Sequence, residues 1–315
     1  MVEVLIGKME AGKRVHRYVR QLLPGVPLSG IHKMIRTDRV KVNGKRAKAD
    51  DVLQIGDKVH LYMADEDFRE VSKSKRKFAG IDANIEIVFE DENILVVNKP
   101  AGLLTHGNQE EQKDTLVNRV SAYLYQQGEL QEQSFTPAPA NRLDRNTSGL
   151  VIFGKTGAAL RDLASRLADH KIDKWYLAIV KGEISSSGAV RVKLTRDDSQ
   201  NRTYTAPSEN GKSAETLYQP LESAGGTTIV QIKLIHGRTH QIRAHFQSIG
   251  HPLVGDVKYG GGRFSQKSGE HQWLHAFKLR LADGQEYSAP LPPEFQRELK
   301  QLGYSTAQIA NLLQR

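Results

Sequence analysis

The chain has 315 residues, 45 Lys/Arg against 36 Asp/Glu for a formal net charge of +9, and 38% hydrophobic residues. That apolar content suffices for one large core and a smaller one. No apolar run approaches the roughly 20 residues that cross a bilayer and residues 1–14 lack the zones of a signal peptide, so a cytoplasmic protein is expected. The absence of cysteine excludes disulfides, thiolate nucleophiles and Cys-based zinc sites.

The excess charge is concentrated near the start. Residues 1–80 hold 18 Lys/Arg and 10 Asp/Glu, leaving 27 and 26 for the remainder. Such a region suits a polyanion, most often nucleic acid, although charge alone speaks equally for a solvated basic face. Residues 13–22 predict a short basic helix with Val15, Val19 and Leu22 on one face, ended by Pro24 and Pro27. Ser29 is placed to cap a second helix running to Arg36. Val40 and Val42 then alternate into Asn43-Gly44, a hairpin signal, and a last strand alternates Val59 with Leu61. Lys33, Arg36, Arg39, Lys41, Lys45 and Arg46 fall on this second helix and hairpin as the candidate RNA-binding set, with Asp38 the one acid among them. The order of two helices and a Val-x-Val-Asn-Gly hairpin resembles the S-four-type RNA-binding domain, with Asp38 where a Gly is common. The boundaries expected are 13–64 for this module, 65–84 for an exposed linker of mixed charge that lets the modules move independently, and 85–315 for a larger domain.

Strands dominate the larger domain. Two are predicted on either side of Asp91-Glu92-Asn93, another at 150–153, a helix at 157–168 capped by Thr156, and a strand beginning at Lys174. Further strands fit 189–195, 214–221, 227–235 and 274–281. A short helix from about His240 to Ser248 is closed by Gly250, and the segment after Pro292-Pro293 is helical. The expected class is α+β, a mixed or antiparallel sheet with a small N-terminal helix-helix-hairpin module.

The densest chemistry lies in Asn141-Arg142-Leu143-Asp144-Arg145-Asn146-Thr147-Ser148-Gly149, where an acid sits between two arginines in a turn that opens into a buried strand. A carboxylate so placed is aimed, as a nucleophile must be. This run closely resembles the signature of the RluA-type RNA pseudouridine synthases, His-Arg-Leu-Asp-x-x-Thr-Ser-Gly-Leu, with Asn141 in place of the usual His. Lys99-Pro100-Ala101-Gly102, Lys174-Trp175-Tyr176-Leu177-Ala178, and the stretch from His236-Gly237-Arg238-Thr239-His240-Gln241-Ile242-Arg243 through Gly255-Asp256 to Tyr259-Gly260 resemble the family's remaining motifs in order. Within the family the likeness is greatest to the RluC-like enzymes of large-subunit ribosomal RNA.

The resemblance implies isomerisation of specific uridines to pseudouridine in structured RNA. It implies Asp144 as nucleophile, Arg243 pairing with it, and Tyr176 against the target base as acceptor of the proton from the fifth ring carbon. Ile242 would line the uracil pocket, and Arg142, beside the nucleophile, would either fill the gap left by the flipped base or make a simple phosphate contact. Neither metal nor cofactor is implied, and RNA is the partner, with no membrane and no obligate protein. The alternative is a non-catalytic RNA-binding or ribosome-assembly protein on the same fold, which would have no need of Asp144, Tyr176 and Arg243 together. Two decoys are set aside. Gly149 to Thr156 matches the phosphate-loop spacing, but the intervening residues read as a strand whose amides belong to a sheet. His236, His240, His245 and His251 lack the spacing of paired metal ligands on one helix.

Overall fold

The computed structural model describes residues 1–7, 10–72, 80–108, 111–129, 136–206, 211–262 and 271–313. The N-terminal region builds its own core. Strand β1 (Val2–Leu5), helices α1 (Val15–Leu22) and α2 (Leu28–Arg36), strands β2 (Val40–Val42) and β3 (Lys45–Arg46), and strand β4 (Lys58–Leu61) form a four-stranded sheet of order β1-β4-β2-β3 backed by the two helices. Val15, Val19, Leu22, Ile31, Ile35, Val40, Val59 and Leu61 are buried together, as their periodicity requires. The hairpin turn places Asn43 and Gly44 at positive φ, 51° and 75°, the geometry that makes Asn-Gly a hairpin signal. Asp38, at φ 57°, occupies the left-handed position that glycine would hold without strain, and its carboxylate pairs with Arg46 at 3.0 Å.

Two expectations are corrected here. The cap of α2 is Pro27, with no side-chain capping bond, so Ser29 lies inside the helix. Proline at that position has a pre-set φ that suits the entry, which removes the need for a hydroxyl. The expected linker opens as helix α3 (Asp65–Val71), whose first turn carries Asp65, Glu66 and Asp67 against the positive end of its dipole. Phe68 and Val71 of α3 pack on the N-terminal core, so this part of the segment belongs to that module. Residues 73–79 of the expected linker lie outside the described residues.

The larger region is a mixed sheet of eleven strands among the described residues. Strand β5 (Glu86–Glu90) forms one edge beside β6 (Ile94–Lys99); after helix α4 (Leu116–Gln126) and the short β7 (Ala138–Pro139), β8 (Ser148–Gly154) pairs with β6. Helix α5 (Gly157–Ala168) follows, its cap Thr156 accepting from the Ala159 amide. Strands β9 (Ile172–Lys181), β10 (Gly188–Asp197), β11 (Arg202–Ala206), β12 (Lys212–Ala224) and β13 (Thr227–Leu234) precede helix α6 (Gln241–Ser248). Strand β14 (Leu274–Leu281) then inserts between β9 and β8, parallel to β8, with β15 (Glu286–Ser288) on its far end. Helices α7 (Pro293–Gln301) and α8 (Thr306–Leu313) close the chain.

Strand alternation explains how the sheet buries both faces. Tyr176, Ala178 and Val180 of β9 join Val97, Val151, Ile232, α4 and α6 in one core, whereas Leu177 and Ile179 face Phe277, Phe295 and Leu299 in another. The first of these faces carries the candidate site. One glycine is indispensable there: a side chain on Gly149, at φ 111°, would drive into the Ala276 backbone, so the parallel approach of β14 to β8 demands glycine.

Candidate active site

Asp144 stands at the mouth of a cavity on that face, in the loop between β7 and β8. Several bonds fix this loop. The Thr105 hydroxyl donates to Leu143 O at 2.8 Å, Gln272 donates to the Thr147 hydroxyl, and Thr147 N–H closes a turn on Asp144 O. Lys99, fully buried, donates through Nζ to the carbonyls of Pro100, Leu103 and Arg145 at 2.8, 2.8 and 2.9 Å. Burial pushes its ammonium down to about 7, while the charge of Asp144 works the other way. Three carbonyl acceptors match the three donors of the charged form, so the geometry is that of an ammonium. Asn141, where the family pattern has His, hydrogen-bonds one edge of β8 twice: its amide donates to Leu150 O at 3.1 Å and its carbonyl accepts from Ile152 N at 2.9 Å. An amide supplies that donor and acceptor at any pH; a neutral imidazole offers one of each only in the right tautomer.

Arg243 reaches Asp144 from α6. Its Nη1 donates to Asp144 Oδ2 at 3.0 Å, and its Nε and Nη2 donate to Asp256 Oδ2 and Oδ1 at 2.7 and 2.8 Å. Arg243 is 8% exposed and Asp256 1%, so the two-pronged pair is buried and holds the third nitrogen on Asp144. Desolvation works against the arginine charge, but both carboxylates outweigh it and leave its pKa well above the usual value. The guanidinium also lies over the Tyr259 ring, 4.8 Å from its centroid.

His240, just before α6, adopts a left-handed φ of 52°, which turns its ring toward the cavity. Its Nε2 lies 3.8 Å from Asp144 Oδ2 and its Nδ1 3.0 Å from Tyr259 Oη. Tyr259 Oη also accepts from Thr203 N at 2.8 Å, which ties Thr203, Tyr259 and His240 into one hydrogen-bonded chain beside Asp144. Burial lowers the His240 pKa, while the charge of Asp144 works the other way. Tyr176 comes from the middle of β9, 6% exposed. Its phenol is raised above the ordinary value by burial first and by the Asp144 charge second.

Two connected compartments share Arg142, Leu143, Asp144, Tyr176, Leu234, Arg238 and His240. The narrow one, about 60 Å³, adds Thr147, Gln241, Ile242, Arg243 and Leu274. The wide one, about 630 Å³, runs away from α6 to Lys174, His170 and His236. The structure thus brings Asp144, Tyr176, Arg243, Ile242 and Arg142 together. Lys33, Arg36, Arg39, Lys45 and Arg46 are exposed on the N-terminal module, with Lys41 half-buried over the Tyr62 ring. Asp256 and His240 lie within a recognisable motif, but the sequence gives neither a role, because only the tertiary approach of α6 to the Asp144 loop shows what they hold. The phosphate-loop decoy fails on geometry. Residues 149–154 lie in β8, every one buried, and Lys155 is spent on Glu90 and Glu129. Among the described residues no group of three or more His, Asp or Glu side chains is placed to hold a metal ion.

Residues 93–248, which span the Asp144 loop, β9 and Arg243, match the model of the RNA pseudouridylate synthase family. The ribosomal large subunit pseudouridine synthase C of Haemophilus influenzae is 33% identical over 285 residues, covering 88% of this chain and 85% of the relative. The chain belongs to the RNA pseudouridine synthase family. The enzyme of the same name from Escherichia coli K12 is 33% identical over 289 residues, 88% of either chain. Among solved structures, human RNA pseudouridylate synthase domain containing 1 superposes with a TM-score of 0.56 at 26% identity, over 74% of this chain and 95% of the other. The human domain containing 4 protein shares the fold, with a TM-score of 0.56 at 22% identity over 69% and 92%.

Proposed function

We propose that this pseudouridine synthase isomerises uridines of large-subunit ribosomal RNA, with Asp144 as its nucleophile. The observation that carries the chemistry is the Asp144–Arg243–Asp256 chain at the junction of the two compartments. The substrate is supported by relatives named for the ribosomal large subunit at about one-third identity over most of the chain. No helix among the described residues is long and apolar enough to cross a membrane, and a ribosomal RNA substrate fits an enzyme of the cytoplasm.

The reaction balances within the substrate. The bond from the sugar to the first ring nitrogen breaks, the uracil rotates, a bond to the fifth carbon forms, and the proton on that carbon leaves while the nitrogen gains one. Asp144 attacks and holds one fragment covalently. Arg243 fixes its direction, and Asp256 fixes Arg243. Ile242 and Leu274 supply apolar walls to the narrow compartment, where an uncharged base is drawn. Arg142, exposed on the rim, takes the place of the extruded base in the RNA stack. Tyr176 is a neutral phenol in this setting, so it accepts the proton of the fifth carbon only as its own proton passes on, and the neighbouring carboxylate is the acceptor in reach once its bond to the substrate has broken. The N-terminal module acts as an S-four-type RNA-binding unit through Lys33, Arg36, Arg39, Lys41, Lys45 and Arg46. The test is to label ribosomal RNA with tritium at the fifth carbon of uridine and measure its release by the purified protein, mapping the product sites. Release at discrete uridines of large-subunit RNA is expected; release absent there but present on another RNA would reassign the substrate.

A further inference from the structure

The wide compartment is far larger than the narrow one, and its chemistry differs. Lys174 and Tyr176 are two residues apart on β9, so both side chains leave the same face of the sheet about 7 Å apart. Lys174 is buried, 7% exposed, and its burial lowers the ammonium pKa. Among the described residues no carbonyl, hydroxyl or carboxylate lies within hydrogen-bond or ion-pair distance of its Nζ. The carboxylate of the preceding residue, Asp173, is instead committed to Lys233 and Arg280, both at 2.8 Å.

Around Lys174 the wall is basic. Arg142 and Arg238 line it, with His170 and His236 packed edge to face at 5.2 Å between centroids. His170 is fixed by a bond from its Nδ1 to Ile235 O at 2.9 Å, while His236 Nδ1 is buried with no partner. Among the described residues the one acid lining the compartment is Asp144, which is already bonded to Arg243. Arg142, Lys174 and Arg238 thus line a cavity whose one carboxylate is already paired, and such a lining favours an anionic ligand.

Building on the function proposed above, we propose that the wide compartment is a phosphodiester site: it holds one linkage of the RNA strand adjoining the target uridine, with Lys174 as its central contact. The uracil enters the narrow compartment beyond Tyr176 while the neighbouring backbone lies along Lys174 and Arg238. The tether explains how a base freed from its sugar turns without the RNA drifting, because the strand is held beside the reacting centre by charge independently of the contacts to the base. Lys174 is then a substrate-positioning residue.

The test uses the full chain and an RNA hairpin with a single loop uridine, made in three forms: unmodified, and with the linkage on the 5′ or the 3′ side of that uridine replaced by uncharged methylphosphonate. Binding is measured by fluorescence anisotropy across a salt series for the wild type, Lys174→Met and Lys174→Arg. Lys174→Met is expected to weaken the unmodified RNA about tenfold and to flatten the logarithmic salt dependence by about one unit, with Lys174→Arg restoring both. One of the two methylphosphonates is expected to weaken wild-type binding by a like factor and to leave Lys174→Met unaffected. If neither methylphosphonate changes wild-type binding, or if the losses from substitution and methylphosphonate multiply, the site holds no phosphodiester. The methylphosphonate comparison on the wild type decides this even where Lys174→Met fails to fold. Conversion of the unmodified RNA by the wild type, followed in the same samples, reports separately on the proposed function.

Discussion

Replacing Asp256 by asparagine separates the anchor of the site from its reacting group. Arg243 gives Asp256 two charge-assisted hydrogen bonds, 2.7 and 2.8 Å long, at a place where Asp256 is 1% exposed. Asparagine keeps the volume but offers one oxygen, so one guanidinium N–H would face an amide NH₂, and the arginine would lose the nearer of its two charges. Breaking one side of a buried pair in this way costs about 3–5 kcal/mol. At a denaturant slope of about 3 kcal/mol/M, the urea midpoint of the larger domain should fall by about 1 M or somewhat more. The freed guanidinium also loses its fixed direction, and misplacement of a catalytic contact by about 1 Å costs on the order of a hundredfold in rate. Tritium release in single turnover, measured well below the unfolding transition, should therefore fall at least tenfold while RNA affinity stays within a few-fold. An Asp256→Asn enzyme with wild-type midpoint and wild-type single-turnover rate would show that Asp256 neither supports the fold nor aims Asp144 through Arg243.

Asp144→Asn should abolish conversion and leave RNA affinity within a few-fold, since the amide keeps shape but is no nucleophile; pseudouridine made by that variant would remove Asp144 from its role. Tyr176→Phe should stall after attack and accumulate an RNA adduct on denaturing gels, whereas Arg243→Ala should form none; full single-turnover rates in both would make them binding residues only. A fragment starting near Ile81 should fold around the larger sheet and bind large RNA with a shallower salt dependence, and an unchanged slope would exclude the N-terminal module from RNA contact. Acid should destabilise the larger domain between about pH 6.5 and 4, because burial holds His275 and His245 down to about 4 and the unfolded chain takes up those protons first. Stability is complete above that window and lost as pH falls through it. His275→Gln should flatten the dependence of melting temperature on pH, and a curve of wild-type steepness would contradict the assignment.

Elements whose signal is local are legible before folding. Strand β14 spans Leu274–Leu281 as its alternation predicts, and α5 starts at its threonine cap. Helix α4 is absent from the sequence expectations although Thr115 caps it by accepting from Asn118 N and Leu116, Val120 and Leu124 recur at every fourth place. Strand β7, two residues long, has no period to read; β1, β11 and β15 are likewise absent from the sequence expectations, and each lies beside a neighbour that offers it a ladder. At the site, Asp144 and Arg243 stand out as residue types inside motifs, but Asp256 as the anchor of Arg243, His240 as the neighbour of Asp144, and Lys174 in its basic wall depend on which chain segments meet. No spacing along the sequence encodes that the Thr203 amide bonds the hydroxyl of Tyr259, which in turn bonds His240.

Arg243 and Asp256 are only 13 positions apart along the chain, whereas Arg243 and Asp144 are separated by 99. Closing the short loop is quick and loses little chain entropy; bringing the Asp144 loop to it requires β8 and β14 to find each other across most of the larger domain. The difference in loop length predicts that the Arg243–Asp256 clamp forms before the carboxylate it aims arrives. Recovery of turnover after denaturation should then trail any signal that reports on α6 alone.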